Sequence, residues 1–143
     1  MADGATIRPA RSDDVEQVLA LWRDADATPS PTDNREEVLK LLAEPAAVLL
    51  VAEADGRLVG TVIGGWDGWR GNIYRLAVAP GYRRRGLARL LVAEADRFLH
   101  RMGAKRITAL VEGDHPWATD FWDSLAASGY RHDERMRRYV KTL

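Results

Sequence analysis

The chain has 143 residues, of which 46% are hydrophobic and 29% are charged, and its 21 basic side chains equal its 21 acidic ones. This length suits one domain with a substantial core, so we expect a single domain over residues 1–143. The balanced charge argues against a general attraction to nucleic acid or to an anionic membrane, and the absence of cysteine excludes disulfides, thiolate metal sites and a cysteine nucleophile.

The N-terminus and the histidines add further expectations. The first residues, Met-Ala-Asp-Gly-Ala-Thr, contain no basic region followed by an apolar run, and no apolar stretch approaches the ~20 residues that span a bilayer. We therefore expect neither a signal peptide nor a membrane segment, and a cytoplasmic location. His100, His115 and His132 are too far apart for a local metal motif, so no metal is expected.

The predicted elements mix strands and helices. In chain order they are a strand (6–8), a helix (12–24), a second helix around residues 38–42, three strands (48–54, 58–63 and 72–78), a long helix (85–102), a strand (106–111), a helix (116–127) and one or two closing strands within residues 130–141. Helical spacing of apolar residues marks the helices, and short apolar runs mark the strands. Ser12 is a suitable N-cap, Asp55-Gly56 signals a hairpin turn, and Gly103 ends the long helix. This order predicts one mixed α/β domain.

Residues 76–88 carry the most informative pattern. Leu76-Ala77-Val78-Ala79-Pro80 ends a strand, and Arg83-Arg84-Arg85-Gly86-Leu87-Ala88 begins the long helix. The first amides of a helix lack partners within it and the helix dipole adds positive charge, so this start favours an anion such as phosphate. Gly86 lets the backbone approach a ligand, and the arginines add charged donors. The P-loop and dinucleotide fingerprints do not occur, and a solvated arginine run is the plain alternative.

The same segment resembles motif A of the GNAT superfamily of acyl-CoA-dependent N-acetyltransferases, with Arg83, Gly86 and Ala88 at its signature positions. The resemblance covers almost the whole chain and is strongest to small single-domain bacterial members. Further matching segments are Ile7-Arg8-Pro9-Ala10, Leu49-Leu50-Val51-Ala52-Glu53, Leu58-Val59-Gly60, and a motif B with Ala118, Phe121, Trp122 and Gly129-Tyr130. The resemblance implies a central, mostly antiparallel sheet of six to seven strands, flanked by about four helices and splayed between strands four and five.

The resemblance also implies an acetyl-CoA-dependent N-acetyltransferase that acts on a primary amine, in a small molecule or peptide, by direct attack in a ternary complex. The pyrophosphate would bind the amides of residues 84–88. The pantetheine arm would pair with the backbone of the fourth strand, because an extended amide chain needs a free strand edge. The implied cofactor-binding residues are Leu76, Ala77, Val78, Arg83, Arg84, Arg85, Gly86, Leu87 and Ala88.

The catalytic groups depart from the family pattern. Trp122 occupies the position where many relatives have a tyrosine that acts as general acid for the thiolate. Asn72 and Leu110 occupy two positions where relatives carry a catalytic glutamate. The remaining catalytic candidates are Tyr74 in the fourth strand and Glu112 after the fifth, for which core packing and a surface loop are the plain alternatives. Direct attack by a neutral amine, with water removing the proton, is the mechanism that requires the fewest catalytic side chains.

Aromatic and acidic residues predict the acceptor site, because aromatic faces beside carboxylates suit an ammonium group. The residues expected there are Trp66, Asp67, Trp69, Trp117 and His115. Trp22 lies in a helical apolar stripe and is expected in the core. Exposed tryptophans can also be packing anchors or an interface, and a homodimer through the closing strands remains open.

Two other functions stay open from the sequence. The chain could be a non-catalytic acyl-CoA-binding module or sensor, because the usual tyrosine and glutamates are missing. It could bind nucleic acid through the three arginines and residues 135–138, although the balanced charge and the embedded Asp133 and Glu134 argue against this. We expect acetyl-CoA and an amine as partners, and neither nucleic acid nor a membrane.

Overall fold

The computed structural model describes residues 4–143, which divide into a unit that ends at Ala109 and a second unit, Leu110–Leu143. The first unit contains β1 (Thr6–Pro9), α1 (Val15–Asp24), α2 (Arg35–Ala43), β2 (Ala47–Ala54), β3 (Arg57–Trp66), β4 (Gly71–Val78), α3 (Leu87–Met102) and β5 (Ile107–Ala109). The second contains α4 (Pro116–Asp123). Within residues 4–143, no helix combines the length and apolar character needed to cross a membrane.

The five strands form one mixed sheet in the order β1-β2-β3-β4-β5. The first three pairings are antiparallel and the last, between β4 and β5, is parallel. The β4–β5 pairing covers only Gly71–Ile73 of β4, against Ile107–Ala109. From Tyr74 onward β4 therefore runs without β5 beside it, which is the separation of strands four and five that the family resemblance implied.

The predicted number of strands, six to seven, is wrong for the described part of the chain. Residues 130–143 contain no strand, although their sequence was interpreted as one or two closing strands. Asp133 offers a physical reason, because its carboxylate accepts the Arg135 amide (3.1 Å) and also binds the Arg135 guanidinium. Such a local turn competes with extended pairing. The hydrophobic side chains of Met136 and Tyr139 in this stretch are exposed.

Some helix boundaries also differ from the prediction. Ser12 does not cap α1, because Ser12–Asp14 forms a 3-10 turn and the α-helix begins at Val15. The long helix begins at Leu87 rather than residue 85, and α4 ends at Asp123 before a 3-10 turn at Ala126–Ser128. Helix ends commonly tighten into such turns, which apolar periodicity cannot resolve.

The first unit buries apolar side chains on both faces of its sheet. One face packs against α1 and α2 through a cluster of buried residues, namely Val15, Val18, Leu19, Trp22, Ala25, Val38, Leu49, Val51, Leu58, Ile63 and Ala77. The expectation that Trp22 is a core residue is therefore confirmed. The other face packs against α3 so closely that a Cβ on Gly60 or Gly71 would lie 2.9 Å from a leucine of that helix. Glycine at these positions lets the helix lie directly on the sheet.

A β-bulge interrupts β4 just after its last pair with β5. The β3–β4 register shifts between Thr61 and Ile63, so β4 gains one residue at Arg75–Leu76. Arg75 has φ 55°, in the left-handed region that non-glycine residues rarely adopt. A bulge bends its strand, and this one lies just beyond Ile73, where the pairing of β4 with β5 ends.

Buried polar contacts hold the bulge in place. Trp22 Nε1 donates to the Thr61 hydroxyl (2.9 Å), which in turn donates to the Arg75 carbonyl (2.9 Å). The Arg75 guanidinium lies 4.8 Å from the centre of the Trp22 ring and forms an ion pair with Asp33 at 2.8 Å. The strained residue is thus fixed through both its backbone and its side chain.

Replacing Thr61 with valine keeps the side-chain size but removes the hydroxyl from this network. The indole N–H and the Arg75 carbonyl would each lose a buried partner, so we expect the free energy of unfolding to fall by about 1–3 kcal/mol. Urea denaturation followed by tryptophan fluorescence measures this change. Thr61→Ser retains the hydroxyl and should be closer to wild type, whereas undiminished stability of Thr61→Val would contradict the proposed network.

Candidate functional site

The end of β4 presents a free backbone edge. The Ala79 amide donates to the Val59 carbonyl of β3 at 2.9 Å, which fixes the direction of the backbone groups. Because these groups alternate along a strand, those of Leu76 and Val78 point away from β3. The predicted pair therefore faces the side from which β5 has departed, although the Val78 carbonyl there already accepts a bond from Arg83 Nε (3.1 Å). Ala77 between them is bonded toward β3 and buried in the core.

The start of α3 provides amides for an anion. Gly86 caps the helix with φ 85°, and the first helical bond runs from the Leu90 amide to the Gly86 carbonyl (3.1 Å). The amides of Leu87 and Ala88 consequently have no carbonyl within the helix to bond. A Cβ placed on Gly86 would meet no atom within 4 Å, so packing does not require glycine here. The positive φ of Gly86 and the open space around it would both allow a ligand to approach the backbone closely.

The arginine side chains in this loop have different surroundings. Arg83 turns back onto the protein, where its Nε donates to the Val78 carbonyl (3.1 Å) and its NH2 group to the Ala25 carbonyl (3.4 Å). Arg85 lies over the Tyr82 ring at 5.0 Å. Arg84 is exposed and has φ 64°. Arg83 therefore ties the loop to β4 and to the C-terminal end of α1, and the groups left as candidates for an anion are the backbone amides that follow it.

Tyr82 anchors the same loop, and the sequence analysis missed it. Its hydroxyl donates to the Asp55 carboxylate at 2.5 Å, in the turn between β2 and β3. Arg57 and Arg85 lie over its ring at 5.3 and 5.0 Å. Asp55 and Arg57 are 27 and 25 residues away along the chain, so no local pattern identifies these two contacts.

Tyr74 lies on the face of the sheet that packs against α1 and α2. It pairs with Ile63, which belongs to the core cluster on that face, and residues paired in this way share a face. Tyr74 is 36% exposed and lines two cavities. Burial raises the pKa of its phenol above the usual value of about 10. Tyr74 is therefore a protonated hydroxyl at neutral pH, placed between two spaces that could take a ligand.

We call the first space the Arg75 cavity, with a volume of about 210 Å³. Its lining residues are Trp22, Thr32, Asp33, Glu37, Val38, Leu41, Ile63, Tyr74 and Arg75. Both of its carboxylates are bonded to cations, Asp33 to Arg75 (2.8 Å) and Glu37 to Lys40 (2.5 Å). The Arg75 cavity is thus close to electrically balanced.

We call the second space the Asn72 cavity, with a volume of about 270 Å³. Its lining residues are Glu44, Ala46, Ala47, Gly65, Trp66, Asp67, Asn72 and Tyr74. Asn72, one of the positions where relatives carry a glutamate, therefore lies beside Tyr74. Neither Asn72 nor Tyr74 supplies a carboxylate that could act as a base.

The predicted acceptor residues of the β3–β4 hairpin are only partly brought together. Trp66 and Asp67 line the Asn72 cavity, but the Trp66 ring packs against Gly103 at the end of α3. Asp67 Oδ1 accepts the amides of Trp69 (2.8 Å) and Arg70 (2.7 Å), and these bonds hold the pKa of Asp67 below its usual value. Trp69 is 71% exposed at the hairpin turn and stacks on Arg70, apart from the cavity lining.

Within the second unit, Glu112 and His115 form a close pair at the start of α4. Glu112 Oε2 lies 2.6 Å from His115 Nε2, and ligand atoms of Glu112, Asp114 and His115 all lie within 4.8 Å of one another. The expectation of no metal considered histidine spacing only and did not foresee this group. The nearby Trp117 is half-buried. Trp122, at the usual tyrosine position, packs edge-to-face on Tyr130 with ring centres 5.0 Å apart.

Comparison with known proteins gives three informative matches. The sequence model of the acetyltransferase (GNAT) family matches residues 15–126. An acetyltransferase of Sodalis glossinidius is 35% identical over 119 residues, which cover 83% of this chain and 84% of that protein. An aminoglycoside 6'-N-acetyltransferase of Acinetobacter haemolyticus has the same fold, with a TM-score of 0.78 at 21% identity over 96% of this chain and 99% of that one.

A further structure with the same fold contains a bound cofactor. It is the PaiA N-acetyltransferase of Thermoplasma acidophilum in complex with coenzyme A. Its TM-score is 0.71 at 16% identity, over 85% of this chain and 88% of that one.

Gly86→Asp tests the helix start as an anion site. The new carboxylate would stand among the amides proposed to hold phosphate, so we expect the Kd for acetyl-CoA to rise at least ~100-fold, as like charges repel strongly at close range. Isothermal titration calorimetry measures the Kd, and thermal unfolding shows whether the variant folds. Gly86→Ala carries the same backbone strain without the charge and should bind better than Gly86→Asp. A folded Gly86→Asp protein with unchanged affinity for acetyl-CoA would show that these amides do not bind its phosphates.

Proposed function

Because the chain belongs to the acetyltransferase (GNAT) family, we propose that it transfers an acetyl group from acetyl-CoA to a primary amine by direct attack in a ternary complex. One observation carries this proposal: the free edge of β4 leads directly into an anion-binding helix start. An extended amide chain with a pyrophosphate at one end matches such a pair of features. The coenzyme A bound by the Thermoplasma protein of the same fold supports this choice of cofactor.

The proposed cofactor lies along two backbone segments. The pyrophosphate accepts bonds from the amides of residues 84–88, at the positive end of α3. The pantetheine arm pairs with Leu76 and Val78, as a further strand would. Running back along β4 in this way brings the thioester toward the bulge at Arg75, where the free edge begins.

The proposed reaction requires the net movement of one proton. The neutral amine nitrogen attacks the thioester carbonyl carbon, a C–N bond forms and the C–S bond breaks. The nitrogen then gives up a proton, and the departing thiolate of coenzyme A takes one up. A protein that orients the two reactants and supplies a proton to sulfur can account for much of the rate.

Tyr74 is our proposed proton donor to the thiolate. It lies one residue before the bulge, where the free edge of β4 begins, and it borders both cavities. Its raised pKa keeps the phenol protonated through the neutral range, as an acid requires. With Asn72 beside it and no carboxylate at that position, we propose that water removes the proton from the amine.

The second unit supplies the other candidates of the sequence analysis. Glu112, whose Oε2 lies 2.6 Å from His115 Nε2, is a proposed acid–base residue, and His115 and Trp117 are proposed contacts of the acceptor. Their support is the family pattern, in which the acceptor site opens after the fifth strand. Trp69 keeps the same proposed role on the β3–β4 hairpin.

Tyr74→Phe removes the proposed acid while retaining the ring. We expect kcat to fall roughly 10–100-fold with an unchanged Kd for acetyl-CoA, because the phenol acts on the departing sulfur. Since the raised pKa of Tyr74 keeps it protonated, the loss should be the same from pH 6 to 9. Steady-state release of free coenzyme A measures kcat. Tyr139→Phe, which changes a tyrosine that is 90% exposed, serves as the control. An unchanged kcat in Tyr74→Phe would show that another group donates the proton to the departing thiolate.

The proposed activity itself is tested by incubating the protein with acetyl-CoA and a panel of amines. We expect release of free coenzyme A together with an acetylated amine, detected by mass spectrometry. Tight binding of acetyl-CoA without turnover of any amine would favour the non-catalytic acyl-CoA-binding module instead.

A further inference from the structure

The Asn72 cavity differs in charge from the Arg75 cavity beside it. Its described lining contains two carboxylates, Glu44 and Asp67, and no lysine or arginine. Both carboxylates are held by backbone amides, Glu44 Oε2 by Ala46 (2.9 Å) and Asp67 Oδ1 by Trp69 and Arg70. These bonds orient the two groups, and those from the Arg70 and Trp69 amides, with a smaller contribution from the Arg70 charge, lower the pKa of Asp67. The Asn72 cavity is therefore the anionic side of the space around Tyr74.

An anionic cavity does not suit the amine that reacts. The attacking nitrogen must be neutral, whereas nearby carboxylates raise the pKa of an amine and keep it as an ammonium ion. The same carboxylates do suit a charged group that takes no part in the chemistry. The charge of this cavity thus indicates a second cationic group on the acceptor.

From this charge pattern, and on the basis of the function proposed above, we propose that the acceptor is a diamine or longer polyamine. Its reacting amine lies at Tyr74, and its second ammonium group lies in the Asn72 cavity between Glu44 and Asp67. The second oxygen of each carboxylate can accept an N–H of the ligand, and the amide oxygen of Asn72 adds a neutral acceptor.

The dimensions of the cavity agree with this occupant. Its volume of about 270 Å³ admits a short aminoalkyl chain, since one water takes about 30 Å³ of the liquid. Tyr74 lines both cavities, so a chain can pass from one side of its ring to the other. The alkyl part would lie against Ala47 and Gly65, which also line the cavity.

The test compares three acceptors that share a four-carbon chain. Putrescine carries an ammonium group at each end, n-butylamine ends in a methyl group, and aminobutanol ends in a neutral hydroxyl. We expect kcat/KM for putrescine to exceed both others at least tenfold at low salt, with the ratio falling as salt is added, since two charge contacts of this kind are each worth up to ~1 kcal/mol.

The double variant Glu44→Gln with Asp67→Asn removes both charges but keeps an oxygen for each backbone amide. We expect it to lower kcat/KM for putrescine about tenfold and so to remove its advantage over n-butylamine and aminobutanol, while the Kd for acetyl-CoA stays unchanged. Glu36→Gln, an exposed glutamate of α2 outside both cavity linings, is the matched control and should leave all three acceptors unaffected.

The outcomes separate the two proposals. If none of the amines in the wider panel is acetylated, the proposed function itself fails. If amines are acetylated but putrescine has no advantage over n-butylamine, the function stands and the second ammonium site is overturned. A putrescine advantage that survives in the double variant would also overturn it, because the second charge would then bind elsewhere.

Discussion

The bulge at Arg75 is the constraint on which the rest of the site depends. A non-glycine residue at φ 55° costs about 1–2 kcal/mol, so surrounding contacts must hold it. The Thr61 hydroxyl fixes its carbonyl, and Asp33 and the Trp22 ring fix its guanidinium. These contacts join α1, β3 and the loop before α2 to a single position in β4. The same contacts therefore hold both the core and the edge of β4 that we propose to bind the cofactor.

The bulge also divides β4 into two parts with different tasks. Before it, β4 pairs with β5, and Asn72 and Tyr74 present side chains to the two cavities. After it, Leu76 and Val78 present backbone groups to the free edge, which continues into the start of α3. The proposed thioester would lie where the two parts meet. The one-residue bulge thus lies between the part of β4 that we propose to face the acceptor and the part that we propose to bind the cofactor.

Local features were predictable from the sequence, and long-range ones were not. The order of most elements and the start of the long helix next to Gly86, which has a positive φ, could be predicted from neighbouring residues. The bulge could not, because its partners Trp22, Asp33 and Thr61 come from three separate segments. The prediction of closing strands was wrong because the Asp133 carboxylate holds a local turn at Arg135, which competes with extended pairing.

The most direct test of the account is backbone amide hydrogen exchange, measured by NMR with and without coenzyme A. Coenzyme A bound as proposed must slow exchange at Leu76 and Val78 and at the start of α3, over residues 86–88, because those amides would donate to it. The amides between β1 and β2 are bonded already and should not change. Protection confined to other parts of the chain, with residues 76–78 and 86–88 unaffected, would contradict the central claim.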